Sequence, residues 1–178
     1  MGENYFELLG LPVSFDIDPQ QLAENFRDLQ RAVHPDRFAN ASDRERRLSM
    51  QRAAQINEAF QCLKSPQRRG RYLLELRGIE FDDERQTTLD PAFLMEQMEL
   101  REALGEVRGA PDASTRLGEF MNQVAAHTTQ MVERLGACLG EGTPDALEQA
   151  RQLVQKLQFM ERLRLEAEAM EEELIDAM

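Results

Sequence analysis

Apolar residues recur at steps of three or four positions through most of the chain, which is the spacing of one face of an α-helix. The longest such stripe occupies the last third of the sequence, at Ala146, Ala150, Leu153, Leu157, Met160, Leu163, Ala167, Met170 and Leu174. A second stripe precedes it, at Leu117, Phe120, Val124, Met131 and Leu135. The alternation of apolar and polar residues that is typical of strands occurs nowhere. The pattern predicts an all-α protein.

Helix-start signals divide the first half into short helices. Asp18 followed by Pro19 predicts a capped helix start, Ser42 with Glu45 forms a capping box, and Ser65 can cap a last short helix. The first of these helices has its apolar stripe at Leu22, Phe26, Leu29 and Val33. The second has its stripe at Ala53, Ile56, Phe60 and Leu63. We therefore expect a domain of short helices over residues 1–78.

Periodicity fails over residues 79–89, "IEFDDERQTTL", which we interpret as a linker. Beyond it, three start signals of the kind Asp90-Pro91 and two intervening glycine-containing breaks predict three longer helices over residues 90–178. Their connections are short, and short connections favour antiparallel neighbours. The second domain is therefore expected to be an antiparallel three-helix bundle.

The net charge of −12 is concentrated in this second part of the chain. Residues 1–78 hold 12 Lys and Arg against 11 Asp and Glu, whereas residues 79–178 hold 9 against 22. An acidic surface disfavours nucleic acid and suits a basic protein partner, although it also serves solubility alone. No apolar run approaches the ~20 residues that span a bilayer, so we expect no membrane partner. Two histidines and two distant cysteines offer no metal site.

The segment "RAVHPDRFAN", residues 31–40, holds His34 beside Pro35 and Asp36. Proline disfavours helix at the residue before it, so the preceding helix should end near Val33 and leave these three residues on an exposed loop. Catalysis would need a pocket, a nucleophile and an orienting group, and the sequence indicates none of them. The remaining interpretations are a simple helix stop and a contact surface for another protein.

This setting resembles the J domain of the DnaJ co-chaperone class. The resemblance covers residues 1–76 and includes "YFELLGL" and "HPDRF". It implies that His34, Pro35 and Asp36 contact the ATPase domain of a DnaK-class chaperone and speed its ATP hydrolysis. It also implies that an acidic surface of that partner meets Arg27, Arg31 and Arg37, of which the first two lie off the apolar stripe of their helix.

The segment "FLMEQMELRE", residues 93–102, is apolar on more than one face. One plausible core stripe is Phe93, Leu100, Leu104 and Val107. Off that stripe lie Leu94, Met95 and Met98, which either thicken the core or form an exposed patch rimmed by Glu99, Glu102 and Glu106. An exposed apolar patch of this kind would indicate a protein-binding site. Phe159 also lies off its helix's stripe, two positions after Leu157, and could complete that patch.

A J domain followed by an acidic domain with "FLMEQMELRE" and "VQKLQFMERL" resembles the HscB family of iron–sulfur cluster co-chaperones. The resemblance implies that the chain delivers the scaffold protein IscU to the specialised chaperone HscA. It assigns scaffold binding to the positions Leu94, Met95, Met98, Glu99, Glu102, Glu106 and Phe159. Met98 stands where leucine is common in this family, a volume-conserving difference that should preserve binding.

The resemblance further implies a cytoplasmic, monomeric protein that is not an enzyme and holds no metal or cofactor. Two other functions remain open from the residues themselves. One is an enzyme that uses His34 and Asp36 as an acid–base pair, which a buried His34 or an adjoining pocket would favour. The other is a general J-domain co-chaperone whose bundle holds a different client.

Overall fold

A computed structural model describes residues 3–38, 41–81 and 91–176 of the chain. All regular secondary structure in those ranges is helical, which confirms the all-α prediction. The α-helices are α1 (Tyr5–Leu8), α2 (Pro19–Ala32), α3 (Asp43–Lys64), α4 (Pro66–Leu76), α5 (Pro91–Val107), α6 (Ala113–Glu141) and α7 (Pro144–Asp176). A 3-10 turn, Pro35–Phe38, lies between α2 and α3. None of the helices in these ranges is both long and apolar enough to cross a membrane.

The chain divides into two compact units, Met1–Arg77 and Gly78–Met178. Most of the predicted linker, residues 79–89, lies outside the described residues, as does Asp90 of the predicted helix start.

The predicted capping residues begin the helices of the N-terminal unit. The Asp18 carboxylate accepts hydrogen bonds from the backbone at the start of α2, where Pro19 is the first helical residue. Ser42 and Glu45 form the predicted capping box of α3, and hydrogen bonds from Ser42 lower the pKa of the Glu45 carboxyl. Ser65 caps α4 through the backbone N–H of its third residue. Each cap satisfies N–H groups that have no partner within the helix.

The core of this unit forms where the two predicted stripes meet. Phe26 of α2 stacks on Phe60 of α3 with ring centroids 3.9 Å apart. Leu22, Ile56 and Leu63 of the same two stripes are almost completely buried. Burial of each of these three side chains contributes ~1.5–3 kcal/mol, and the ring contact adds to the packing of α2 on α3.

Arg69 of α4 is buried, which the sequence pattern did not indicate. Its Nη1 donates to the Leu63 carbonyl at 2.5 Å, and its guanidinium lies 4.9 Å from the centroid of the Phe15 ring. Burial lowers the pKa of this guanidinium, and Asp16 partly offsets that effect. The side chain thereby joins the end of α3, α4 and the segment before α2.

The C-terminal unit is the predicted antiparallel three-helix bundle. Gly142 ends α6 in the left-handed conformation, with φ of +69°, and its N–H donates to the Cys138 carbonyl. Glycine adopts that conformation without the strain a Cβ would cause. After this short connection α7 runs back along α6, and Arg134 donates to Gln149 across the pair at 3.0 Å.

Helices α5 and α7 run in the same direction. The contacts between them keep a nearly constant sequence offset: Phe93 with Phe159, Arg101 with Glu166, and Arg108 with Glu173. Inside the bundle the three predicted stripes are buried or partly buried along their whole length. The structure adds two core residues that the stripe of α7 did not include, Val154 and Phe159.

Candidate protein-binding sites

The HPD loop, His34–Asp36, lies where the sequence predicts it. Helix α2 ends at Ala32, and the backbone N–H of Val33 still donates to the Leu29 carbonyl at 3.2 Å. The chain then turns through the 3-10 segment that begins at Pro35. All three residues of the loop are exposed.

His34 and Asp36 are close together but face solvent. The backbone N–H of Asp36 donates to His34 Nδ1 at 3.3 Å, and the Asp36 carboxylate oxygen Oδ2 lies 3.5 Å from the same atom. The two side chains are 57% and 91% exposed. Water screens a pair this exposed. The geometry favours a contact surface over an acid–base pair.

Helix α3 holds the base of the HPD loop in place. The Ser49 hydroxyl donates to the Val33 carbonyl at 2.8 Å, and Ser49 is buried, as is Arg69 among the polar residues that the structure describes. One turn earlier in α2, Gln30 donates to Asn57 of α3 at 3.1 Å. These bonds fix the end of α2, and therefore the start of the loop. The sequence does not single out Ser49, because nothing in its surroundings marks it as different from other helical serines.

The basic residues of α2 and the loop line one shallow groove beside His34. Its lining residues are Arg27, Gln30, Arg31, His34 and Arg37. The three arginines are exposed, as predicted, and Arg31 also forms an ion pair with Asp28 at 3.3 Å. A pocket beside His34 would have favoured an enzyme, but this groove contains no nucleophile or carboxylate. Its chemistry instead suits an acidic surface of another protein.

The apolar patch, which we define as Leu94, Met95 and Met98, is exposed on α5. These residues are 43%, 64% and 72% accessible, whereas Phe93 and Leu100 on the other side of the helix are 1% and 6% accessible. The alternative that the patch thickens the core is therefore wrong. Because transfer of large apolar side chains out of water is favourable, their clustering on one exposed face indicates a binding surface.

Acidic residues continue the same surface of α5. Glu99 lies four positions after Met95, Glu102 lies four after Met98, and Glu106 lies four after Glu102. Residues four apart are neighbours on one helix face. All three glutamates are exposed, so the patch has an acidic border along the helix.

Phe159 does not belong to the exposed surface, and the expectation that it completes the patch is wrong. It is 9% accessible and meets Phe93 edge to face, with ring centroids 5.7 Å apart. The Arg101 guanidinium covers the ring at 5.7 Å from its centroid. The reason is that α7 packs on both α5 and α6, so it buries an arc wider than the single stripe on which the expectation was based.

The described residues contain no group of three or more His, Cys, Asp or Glu side chains that could hold a metal ion. Both cysteines are free, with Cys138 buried and Cys62 partly buried. Burial raises the pKa of the Cys62 thiol to about 11, and nearby Glu75 adds to the shift.

Comparison with known proteins gives the class of each unit. Residues 4–72 match the DnaJ domain family, and residues 89–168 match the family described as the HSCB C-terminal oligomerisation domain. The N-terminal unit with its exposed HPD loop is thus a J domain, and the protein is a J-domain co-chaperone.

Whole-chain relatives narrow this class. A co-chaperone protein HscB homolog from Shewanella sp. (strain ANA-3) is 46% identical over 97% of this chain and 99% of its own length. The homolog from Shewanella baltica (strain OS195) is 47% identical with the same coverage. The chain belongs to the HscB family of iron–sulfur cluster co-chaperones.

Solved structures of the family have the same fold. Chaperone HscB from Vibrio cholerae is 43% identical, with a TM-score of 0.86 over 96% of this chain and 99% of that chain. Human co-chaperone protein HscB is 29% identical, with a TM-score of 0.84 over 93% of this chain and 81% of that chain.

Proposed function

We propose that this protein binds the iron–sulfur scaffold IscU and delivers it to the DnaK-class chaperone HscA in the bacterial cytoplasm, stimulating the ATPase of HscA through the HPD loop. The observation that carries the proposal is the exposure of Leu94, Met95 and Met98. These side chains have no place in the core of their own bundle, and they lie on a different compact unit from the HPD loop.

On the chaperone side, the HPD loop supplies the contact and the arginines supply attraction. Asp36 presents a carboxylate that is 91% exposed, which a cationic group of the ATPase domain can meet. Arg27, Arg31 and Arg37 surround the adjoining groove and would attract an acidic partner surface. Ser49 positions the loop from beneath without touching the partner.

On the scaffold side, the apolar patch supplies binding energy and the glutamates restrict the choice of partner. Burying the patch against a partner removes apolar surface from water, at about 25 cal/mol per Å². Glu99, Glu102 and Glu106 would pair with basic groups around the apolar contact on IscU. Phe159 takes part indirectly in this proposal, because its ring supports Phe93 and thereby the segment of α5 that carries the patch.

Delivery requires both sites on one chain. When IscU and HscA are held on one chain, their encounter becomes intramolecular, with an effective concentration of the order of millimolar for a short flexible connection. A chain that holds IscU in this way presents it to HscA at the moment the HPD loop stimulates ATP hydrolysis.

Two variants with one defect each test this requirement. Asp36→Asn should bind IscU without stimulating HscA, and the triple variant Leu94→Ala, Met95→Ala and Met98→Ala should stimulate HscA without binding IscU. The measurement is HscA ATPase with IscU present, for the unmodified chain, each variant and an equimolar mixture of the two.

We expect the unmodified chain and IscU to stimulate together more than either does alone. The mixture should stay at the level of the triple variant, because no chain in it carries both sites. Full stimulation by the mixture would mean that the two activities need not be linked, and the delivery proposal would be abandoned.

A further inference from the structure

Methionine side chains in this protein fall into two groups. Met160 and Met170 are buried in the bundle, and Met121 and Met131 are partly buried beside it. Met50, Met95 and Met98 are 68%, 64% and 72% accessible. Met95 and Met98 lie three positions apart and are thus neighbours on one face of α5. Two of the three residues in the apolar patch therefore present a thioether to solvent.

We propose that Met95 and Met98 form a reversible oxidation site, at which peroxide converts the apolar patch into a polar surface and releases the scaffold partner. The inference rests on the proposed function, because it assigns regulation to the same surface. It adds a modification site and a class of oxidant, a hydroperoxide, to that function.

The reaction is an oxygen-atom transfer. A sulfur lone pair attacks one oxygen of hydrogen peroxide, the O–O bond breaks, and the other oxygen leaves as water after proton transfer. The sulfur loses two electrons and the peroxide gains them, so no further reactant is needed. The product is methionine sulfoxide, whose polar oxygen replaces an apolar thioether.

Loss of binding follows from burial of that oxygen. A partner surface that accommodates a thioether offers apolar atoms, and a hydrogen-bond acceptor buried against them without a donor is unfavourable. On this chain Glu99 lies four positions after Met95 and Glu102 four after Met98, and both present carboxylates rather than donors. The Arg101 guanidinium lies over the Phe159 ring and 3.9 Å from a Glu166 carboxylate oxygen. Leu94 cannot be oxidised in this way, so a smaller apolar contact remains after oxidation.

Apart from Met50, which is equally exposed on the other unit, the remaining sulfur atoms of the described residues are less available to the same oxidant. Cys138 is 3% accessible. The thiolate is the reactive form of cysteine, and burial raises the pKa of Cys62 to about 11, so its thiol stays protonated near neutral pH. Met160 and Met170 are shielded by the bundle. Mild peroxide should therefore modify the patch while the fold remains intact.

The experiment treats the full chain with hydrogen peroxide until peptide mass spectrometry finds one added oxygen at Met95 and at Met98. Affinity for purified IscU is measured by calorimetry before and after treatment, and again after incubation with methionine sulfoxide reductases. We expect the affinity to fall at least about tenfold, which is ~1.4 kcal/mol. Reductase treatment should restore it, because sulfoxide formation is reversible by these enzymes.

Two variants locate the effect. Met50→Leu removes an equally exposed methionine from the other unit, and this variant should lose affinity on treatment as the unmodified chain does. The double variant Met95→Leu with Met98→Leu has no thioether in the patch, so its affinity after treatment should equal its own affinity before treatment. The melting temperature of every treated sample should match that of its untreated control.

Equal affinity for IscU before and after oxidation of both methionines would overturn the inference and leave the proposed function standing. Loss of IscU affinity in the treated double variant would also overturn it, because another oxidised residue would then be responsible. A lowered melting temperature of the treated chain would overturn it as well, because the loss of affinity would then reflect damage to the fold. Absence of IscU binding in the untreated chain would overturn the proposed function, and the inference with it.

Discussion

In the N-terminal unit the candidate binding residues lie where a helix ends, whereas in the C-terminal unit they lie within a continuous helix. The HPD loop is polar, and its exposure has no energetic cost because water satisfies its groups. The apolar patch is exposed although burial of each of Leu94, Met95 and Met98 would be favourable. Exposure alone is thus informative for the patch, while the loop is recognised only by its motif and its supporting contacts.

The two regions also differ in how they are held in position. The loop depends on a few specific interactions, chiefly the proline that ends α2 and the bond from Ser49 to the Val33 carbonyl. The patch depends on the distributed packing of α5, through residues such as Phe93 and Leu104 on its buried side. A single polar change can therefore disable the loop, whereas the patch is disabled either at its surface or through its core.

The largest expected effect separates the loop from the patch. Asp36→Asn removes one exposed charge and should abolish stimulation of the HscA ATPase. Affinity for IscU, measured by calorimetry, should remain within about twofold, or ~0.4 kcal/mol, because the loop and the patch lie on different units. The charge-matched control Asp145→Asn, an exposed carboxylate on the other unit, should retain stimulation. Loss of stimulation and IscU binding together in Asp36→Asn would remove the distinction between the two regions.

A second prediction contrasts the exposed side of α5 with the bundle core that α7 forms beneath it. Phe159→Ala should destabilise the C-terminal unit by ~3–5 kcal/mol, since it leaves a cavity against Phe93. Leu94→Ala, on the exposed side, should change the free energy of unfolding by less than about 0.5 kcal/mol. Urea denaturation of both variants measures the difference. Similar losses of stability would mean that Leu94 is also part of the core and that the patch is not a free surface.

Much of the fold and the position of the HPD loop could be predicted from the sequence. The caps at Asp18, Ser42 and Ser65 and the stripes of three- and four-residue steps are local signals, and local signals determine where helices begin and which face is buried. The HPD loop could be predicted for the same reason, because proline ends a helix through its own covalent structure.

The remainder depends on the packing of elements that are distant in sequence. Phe159 is buried because α5 packs against α7 on a side that lies off the apolar stripe of α7. The periodicity of the α7 sequence does not reveal this second contact. Arg69 is buried because Phe15 and the Leu63 carbonyl surround it, and Ser49 bonds a carbonyl 16 positions earlier in the chain. None of these partners is visible from one segment alone.

The smallest expected effect concerns the basic groove beside the loop. Attraction between exposed charges is screened over the ~8 Å Debye length of physiological salt, so stimulation of HscA should weaken as salt rises. Arg27→Ala with Arg31→Ala should flatten that dependence. The control Arg116→Ala with Arg134→Ala makes the same change in net charge in the other unit. This control should keep the salt dependence of the unmodified chain. An unaltered salt profile in the Arg27 and Arg31 variant would locate the electrostatic contact elsewhere.

Nuclear magnetic resonance of the isotope-labelled full chain, titrated with unlabelled IscU, tests the separation of the two regions most directly. Amide and methyl signals around Leu94, Met95 and Met98 should shift or broaden, because the scaffold covers that face of α5. Signals of His34 and Asp36 should remain where they are, since IscU does not use the HPD loop. Perturbation of the HPD loop by IscU, or an unperturbed α5, would contradict the account.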